Sequence, residues 1–319
     1  MTGEGKGKGV DRYSEVRKLW LDRLAVAVVS QLRSAGVRAV LLKGVTLERL
    51  LYDAGEHRPY GDVDLLVAEC ELPVAEVTLA ALGFSRRIED SDFPGHEPLH
   101  GLPWTRGSSD LATVDLHTTL PGVAVARPTA WRVLCDETAQ INLDGAWVEV
   151  LTPAARALHV ALHAAHHGTA AELPMQDLGR ALARLPPEAW PHAARLAERL
   201  GAVEGFAAGL RLLREGEDLA QRLALPRNQS IDQALKAGSG PRLAAGLLRL
   251  RQVSGPRAKA KLVATVLVPT PAWVRWWSPL ARRGRVGLFL SYLAFPFWVL
   301  LRLPGALVAL MRAWHAARS

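Results

Sequence analysis

Two aspartates, separated by one residue, stand at the start of an apolar run. Asp62 and Asp64 lie within residues 58–67, whose last residues predict a buried strand. Because side chains alternate between the two faces of a strand, both carboxylates would project from the same side. Two such carboxylates can share Mg²⁺ or Mn²⁺, and Mg²⁺ keeps its other coordination positions for water and substrate phosphates. The pair therefore predicts a metal site that binds a nucleoside triphosphate.

A phosphate-binding turn is predicted shortly before the aspartates. Residues 37–42 are β-branched and apolar and predict a strand, which Lys43-Gly44 ends before a helical stretch at 46–52. Backbone N–H groups at such a helix start can hold phosphate. Lys43 and Arg58 would offer positive charge to the same polyphosphate.

A third carboxylate would complete a site for two metal ions. Asp115 is the best candidate, because residues 111–117 predict another short strand with an acid among apolar neighbours. The stretch 91–103, rich in Pro, Gly and His, predicts a loop over this site. His96 and His100 in that loop would either reach a substrate or remain solvated loop histidines.

These residues resemble the nucleotidyltransferase superfamily and, more narrowly, the bacterial family of uncharacterised nucleotidyltransferases. The narrower family carries L-K-G followed by R-x-x-x-D-x-D, and the resemblance covers residues 15–185. The matching residues are Leu42, Lys43, Gly44, Arg58, Asp62 and Asp64.

The resemblance implies a fold, a reaction and a set of roles. The fold is α+β: a palm with a mixed β-sheet, followed by a helical domain. Gly44 would open the helix after the first strand, Asp62 and Asp64 would bind metal, and Asp115 would activate the acceptor. The reaction is the transfer of a nucleoside monophosphate from a nucleoside triphosphate, with ATP as the expected donor, to an acceptor that the sequence does not identify.

The turn departs from the superfamily pattern. A second glycine or a serine usually follows the first glycine, whereas this chain has Gly44-Val45, so a phosphate-binding hydroxyl is missing unless Thr46 supplies it. This departure leaves open a non-catalytic nucleotide-sensing or scaffold module of the same fold. Intact Asp62, Asp64 and Asp115 argue against that alternative. Taken singly, Asp62 could also be a turn residue, Asp64 a surface acid, and Arg58 the partner of either acid.

The helical domain begins after the last predicted strand, at 147–150. Thr152 is the expected N-cap of its first helix, with Pro153 at the first helical position. That helix carries four histidines, at 159, 163, 166 and 167. Histidines four apart share a helix face, as in zinc sites, so a histidine-based metal hydrolase is a further alternative, although the glutamate of H-E-x-x-H is absent.

The same segment extends the family resemblance. A histidine-bearing helix followed by an Asp-Leu helix packs behind the palm in that family, which implies that His163, His167 and Asp177 line the cleft and that Asp177 orients a histidine. A purely structural tie between a histidine and Asp177 is an equal alternative.

Composition points to a cytoplasmic chain of several parts. The 319 residues include two cysteines, too few for a disulfide framework or a cysteine-built zinc site. Residues 1–13 are rich in glycine and lysine and predict a flexible leader, not a signal peptide. The predicted divisions are the palm at 14–150, the helical domain at 151–232, and a tail at 233–319 that a pair of helices within 213–253 leads into.

The basic charge belongs to the tail. The chain has 39 basic and 31 acidic residues; 14 of the basic and none of the acidic residues follow Asp232, so the tail carries +14 and the rest −6. Such a block predicts a polyanionic partner, either nucleic acid or anionic lipid.

Apolar content favours lipid over nucleic acid. Five of the ten tryptophans lie in the tail, among them Trp276, Trp277 and Trp298, and residues 286–301 carry no charge. The tryptophans cluster with Leu, Phe and Val instead of alternating along a polar groove, which disfavours nucleic acid. Tryptophan and arginine beside an apolar segment are typical of a membrane interface. The predicted anchor residues are Trp276, Trp277, Arg282, Arg283, Arg285 and Trp298.

Three arrangements of this anchor remain open. Sixteen residues are fewer than the roughly 20 needed to span a bilayer, and Pro296 and Pro304 should interrupt a longer helix. We expect a peripheral or monotopic anchor, in-plane or re-entrant, at the inner face of the membrane. The alternatives are a true span continuing to Met311 and a helix buried against protein.

Overall fold

A seven-stranded mixed sheet forms the centre of the N-terminal part. The computed structural model describes residues 12–53, 55–86, 101–107, 112–228, 230–238 and 240–317. The strands within these ranges are β1 (Ala39–Leu41), β2 (Asp62–Val67), β3 (Ser85–Arg86), β4 (Gly101–Arg106), β5 (Ala112–His117), β6 (Thr138–Leu143) and β7 (Ala146–Leu151). Their order is β3-β4-β5-β2-β1-β7-β6; β2 runs parallel to β5 and β1 parallel to β7, and the other pairs are antiparallel.

Helices flank the sheet and make up the rest of the described chain. Those of the N-terminal part are α1 (Arg12–Ser34), α2 (Val45–Leu51), α3 (Leu72–Ala81) and α4 (Arg127–Cys135). After β7 come α5 (Pro153–His167), α6 (Glu172–Arg184), α7 (Ala189–Arg199), α8 (Val203–Leu210) and α9 (Arg214–Arg222). The last are α10 (Ile231–Ala237), α11 (Arg242–Gln252), α12 (Pro256–Leu267), α13 (Pro271–Trp277) and α14 (Arg285–Ala316). The expected α+β fold class is confirmed.

The two faces of the sheet bury different partners. On β2, Val63, Leu65 and Val67 alternate with Asp62, Asp64 and Leu66. The first set packs in one apolar cluster with residues of α1 and α3. Leu66 faces the other cluster, which α5 and the following helices complete. Because strand side chains alternate, Asp62 and Asp64 share the Leu66 face, which α5 covers.

The start of α5 follows its local sequence. The Thr152 hydroxyl accepts a hydrogen bond from the Ala155 amide at 3.3 Å, and Pro153 occupies the first position. This cap satisfies one of the amide groups that every helix start leaves without a partner. Strand β7 therefore passes directly into the helix that covers the carboxylates.

Three expectations about local structure need correction. Residues 101–103 belong to β4 and not to a loop, because they pair with β5; His96 and His100 lie outside the described residues. Residues 213–253 hold three helices instead of two. Helix α14 continues through Pro296 and Pro304, where the sequence predicted an interruption.

The last helices form a third apolar cluster. Ala306 and Ala313 of α14 pack on α10 and α11 through Ala234, Leu235 and Ala244. Helix α10 also contacts α5 and α8. The predicted divisions at residues 13, 150 and 232 remain predictions.

Candidate active site

The parallel pairing of β2 with β5 brings two aspartates side by side. In this register Asp64 lies opposite Asp115, and Leu66 lies opposite His117. Ligand atoms of Asp64, Asp115 and His117 all lie within 4.8 Å of one another. Asp64 and Asp115, which are neighbours across the two strands, and His117, two residues further along β5, thus form a compact group that could hold a metal ion.

His117 was missed by the sequence reasoning, although it lies two residues after Asp115. Its Nε2 atom lies 2.9 Å from Oδ1 of Asp64. Gly101 lies opposite His117 across β4 and β5, and a Cβ at Gly101 would come within 2.7 Å of the His117 ring. A glycine facing a histidine across a strand pair is the available signal, but it is visible only once the register is known.

The charges around Asp64 keep it ionised. Its side chain is 1% exposed, and burial alone would raise its pKa. The hydrogen bond with His117 and the Lys43 ammonium, whose Nζ is 2.8 Å from Oδ1, hold the pKa below its usual range. Asp115 behaves differently, because burial and the negative charges of Asp64 and Asp62 raise its pKa. The two carboxylates therefore differ in basicity.

Two carboxylate oxygens fit a divalent cation. Oδ2 of Asp64 and Oδ1 of Asp115 are buried, and neither has a hydrogen-bond partner among the described residues. Buried oxygens without partners cost free energy. Carboxylate oxygens are the ligands that Mg²⁺ and Mn²⁺ prefer, and Mn²⁺ also tolerates an imidazole.

Asp62 lies on the same face but does not belong to this group of three. It lines an adjacent cavity of 560 Å³ together with Asp64 and Lys43. Burial and the Asp64 charge raise its pKa. The three side chains whose ligand atoms lie within 4.8 Å of one another thus include His117, where the sequence predicted Asp62. A ligand role for Asp62 remains a prediction.

The predicted turn opens into the same cavity. Gly44 lines it and has φ +65, a conformation that favours glycine; a Cβ would lie 3.4 Å from the Asp62 carbonyl and from the Tyr60 ring. Thr46 does not supply the missing hydroxyl, because its Oγ1 donates to the Leu42 and Lys43 carbonyls and the residue is 1% exposed. The turn can therefore contact a phosphate only through its backbone N–H groups.

Arg58 lines the same cavity and is paired with a buried carboxylate, and its role in binding phosphate remains a prediction. Its Nε and one terminal nitrogen donate to the two oxygens of Asp177 at 2.7 Å each. Tyr52 donates to Asp177 as well, at 2.8 Å. Asp177 on α6 is buried and thus orients Arg58 and Tyr52, not a histidine. This cluster ties the loop before β2 to the helical part.

Arg17 on α1 is a second arginine at this cavity, and the sequence analysis did not identify it. It lines the cavity, one of its terminal nitrogens would be 3.4 Å from a Cβ at Gly61, and its buried Nε has no hydrogen-bond partner among the described residues. Helical periodicity alone could not reveal it, because the rotation of α1 against the sheet decides which arginine faces inward.

Three of the four histidines of α5 form one row along the helix: His159, His163 and His167. The ring centroids of His159 and His163 are 6.1 Å apart, and those of His163 and His167 are 4.5 Å apart. His163 and His167 line the cavity beside Leu173 and Pro174. Burial lowers the pKa of all three, that of His159 to about 3.

A histidine-based zinc site lacks support. Across the described ranges, the only group of three or more metal-binding side chains that converges is Asp64, Asp115 and His117. Zinc bound by two histidines alone would lack the three protein ligands of catalytic sites.

The predicted anchor residues lie around one end of α14. Trp277 and Trp298 belong to an aromatic cluster with Trp273 and Phe295, with ring centroids 5.3 to 5.9 Å apart. Arg282, Arg283 and Arg285 are exposed just before and at the helix start. Trp276 lies in α13. Two of the tryptophans thus pack against protein instead of standing free.

Comparison with known proteins decides the family. A family model described as uncharacterised nucleotidyltransferase matches residues 11–216. The chain belongs to this family. No curated protein matches the chain.

Two solved structures are similar to this chain. A solution structure of the antibiotic-resistance factor ANT(2'')-Ia has 15% identity and a TM-score of 0.40, covering 57% of this chain and 96% of that one. A crystal structure of an antigenic nucleotidyltransferase-like protein from Paracoccidioides brasiliensis has 15% identity and a TM-score of 0.34, covering 59% of this chain and 94% of that one.

Proposed function

We propose that this chain is a metal-dependent nucleotidyltransferase. It would move a nucleoside monophosphate from a nucleoside triphosphate, with ATP as the expected donor, to an acceptor hydroxyl. The family assignment supports the reaction class. The observation that carries the proposal is a pair of buried carboxylate oxygens, on Asp64 and Asp115, that have no hydrogen-bond partner among the described residues. The adjacent cavity is also lined by Arg17, whose Nε has no such partner either.

Asp64, Asp115 and Asp62 would hold Mg²⁺ or Mn²⁺, with His117 beside them. Such a cation would neutralise phosphate charge and polarise the α-phosphorus. His117 and Lys43 both contact Oδ1 of Asp64, which leaves the buried Oδ2 for a cation. These two residues would therefore orient the carboxylate.

The cationic side of the cavity would bind the leaving pyrophosphate. Lys43, the backbone turn at Gly44 and the guanidinium of Arg17 line this part together. Positive charge placed where negative charge develops lowers the barrier most. Arg58, held by Asp177, would fix the loop that precedes Asp62.

Asp115 would take the proton of the acceptor. Its raised pKa makes it the more basic of the two paired aspartates, as a general base requires. The acceptor oxygen forms a bond to the α-phosphorus, the bond to the β-phosphate oxygen breaks, and pyrophosphate leaves with that electron pair. The proton passes to Asp115.

The acceptor is a hydroxyl on a protein, a peptide or an envelope intermediate, and the enzyme is held at an anionic membrane surface on its cytoplasmic side. An acid-free tail of charge +14 supports this location. Within the described ranges one helix, Arg285–Ala316, is long and apolar enough to cross a membrane by length and composition.

A nucleotide-sensing module is the second candidate. The Thr46 hydroxyl is turned into the protein, so the turn lacks the side-chain contact to phosphate. A sensing module would bind the nucleotide and the metal without turnover.

The test compares transfer of α-label and γ-label from nucleoside triphosphates in the presence of Mg²⁺ or Mn²⁺, with purified protein and a cell lysate. We expect α-label to reach an acceptor with wild type and with Asp218→Asn, an exposed control. Asp62→Ala/Asp64→Ala and Asp115→Asn should lose it. Transfer of γ-label would indicate a kinase, and metal-dependent binding without transfer would favour the sensing module.

A further inference from the structure

Helix α14 presents a continuous apolar face to solvent. Ten of its large apolar side chains, from Val286 to Met311, are between 41% and 83% exposed. With about 100° between successive residues, all ten fall within an arc of about 120° along the whole helix. An apolar face of this length on a monomer marks an interaction surface.

The opposite side of α14 is held against protein at both halves. Phe295 and Trp298 pack on Trp273 and Trp277 of α13. Ala306 and Ala313 pack on α10 and α11. From Phe295 to Ala313 these contacts extend along about 27 Å of helix, close to the roughly 30 Å thickness of the hydrocarbon layer.

These contacts oppose a transmembrane orientation. If α14 crossed a bilayer, α10 and α11 would have to enter the hydrocarbon with it. Helix α10 carries the Asp232–Lys236 ion pair and packs on α5 and α8 of the helical part. Burying these charges in lipid would be costly.

Charge on the surrounding surface identifies the partner. Arg282, Arg283 and Arg285 flank the start of the exposed face and Arg312 its end, all of them exposed. Helix α12 adds exposed Arg257, Lys259 and Lys261, and the tail contains no acid. An apolar face bordered by cations complements an anionic lipid surface.

We infer that α14 lies in the plane of an anionic membrane, with its exposed apolar face in the headgroup and acyl boundary and its other face on the protein. This inference rests on the proposed membrane location and specifies it: the helix is monotopic and does not span. The catalytic part then stays on one side of the lipid at a fixed orientation.

The test measures depth in the membrane at three points of the face. Phe289→Cys, Leu300→Cys and Met311→Cys are made singly in the full chain with Cys70→Ser and Cys135→Ser, and each carries a fluorophore. Ser30→Cys on α1 is the exposed control. Vesicles contain phosphatidylcholine and phosphatidylglycerol at 7:3, with nitroxide-labelled lipids that quench at shallow or deep positions.

We expect the same shallow depth at all three positions and no quenching at Ser30→Cys. A spanning helix would place the outer two positions about 33 Å apart along the bilayer normal, with Leu300→Cys the deepest; that result overturns the in-plane orientation while the membrane location survives. A different result would be a protein that does not bind vesicles and forms a dimer, which Leu293→Glu/Leu300→Glu dissociates. That result would assign the apolar face to a second copy of the chain and overturn the inference. Neither result affects the transfer of α-label, which is measured separately.

Discussion

Arg58, in the loop before β2, donates hydrogen bonds of 2.7 Å to both oxygens of Asp177, which lies 119 residues later on α6. Both side chains are nearly inaccessible, at 3% and 1% exposure. The ion pair therefore links the strand that carries Asp62 and Asp64 to the helical part of the protein.

Arg58→Ala should destabilise the protein strongly. It leaves the Asp177 carboxylate buried without its cation, which costs about 3–5 kcal/mol in comparable pairs. Arg184→Ala breaks an ion pair with exposed Asp53 and should cost much less, because water already solvates both groups. Urea unfolding measures both. Equal losses in the two variants would contradict a structural role for Arg58.

Arg17→Ala should weaken binding of the triphosphate more than binding of the monophosphate. A charge-assisted hydrogen bond lost to the β- or γ-phosphate corresponds to about 10- to 100-fold in affinity. Titration calorimetry with ATP, ADP and AMP in Mn²⁺ gives the comparison, and Arg23→Ala on the exposed side of α1 is the control. A similar loss for AMP would remove Arg17 from the phosphate site.

Gly101→Ala should weaken metal binding without a change at any carboxylate. The new Cβ would meet the His117 ring at 2.7 Å, so the ring must move away from Asp64. Gly246→Ala is the control, because a Cβ there meets nothing within 4 Å. Mn²⁺ titration followed by electron paramagnetic resonance reports the affinity. Unchanged affinity in Gly101→Ala would mean that His117 does not shape the site.

Acid should destabilise the wild type more than His159→Gln. Burial lowers the pKa of His159 to about 3 in the folded protein from the ordinary 6.5. Below pH 6.5 the unfolded chain therefore binds a proton that the folded chain does not, and stability falls as the pH drops toward 3. The difference in the free energy of unfolding between wild type and His159→Gln should change by about 2–3 kcal/mol between pH 7 and 4.5.

This comparison requires metal-free buffer and a control. Asp115 has a raised pKa and acts with the opposite sign, but it is present in both proteins and its effect cancels. His315→Gln, at an exposed position, should follow the wild type. If stability depends on pH in the same way in wild type and His159→Gln, then His159 takes up its proton equally well in the folded and unfolded chains. That result would contradict a lowered pKa for His159.

Arg282→Gln/Arg283→Gln/Arg285→Gln should reduce the salt-sensitive part of membrane binding. Basic residues at an anionic surface contribute about 1 kcal/mol each, and salt screens them. Sedimentation with phosphatidylglycerol vesicles at low and high salt should show weaker binding and a flatter salt dependence. The remaining, salt-resistant binding would come from the apolar face of α14. Arg195→Gln/Arg199→Gln on α7 should bind like wild type.

The parts of the site that follow from local sequence were predicted correctly as structure. The strand with Asp62 and Asp64, the turn at Gly44 and the N-cap at Thr152 each depend on neighbouring residues. Their chemical roles remain predictions.

The parts that depend on distant pairing could not be read from the sequence. His117 joins Asp64 only through the register of β2 and β5, and the partner of Arg58 is Asp177, which comes from distant α6. Arg17 faces the cavity because of how α1 rotates on the sheet. Helix α14 continues through Pro296, and both of its halves pack on other helices, through Phe295 and Trp298 on α13 and through Ala306 on α10 and α11.

The uneven charge also has a kinetic consequence. With −6 before residue 233 and +14 after it, the molecule is an electric dipole, and the field of an anionic surface would rotate it before contact. The acid-rich end would be repelled and the basic end attracted, so most encounters would begin with the tail foremost. Orientation would then be selected during approach, at a distance of about one Debye length, and would not depend on a search after landing.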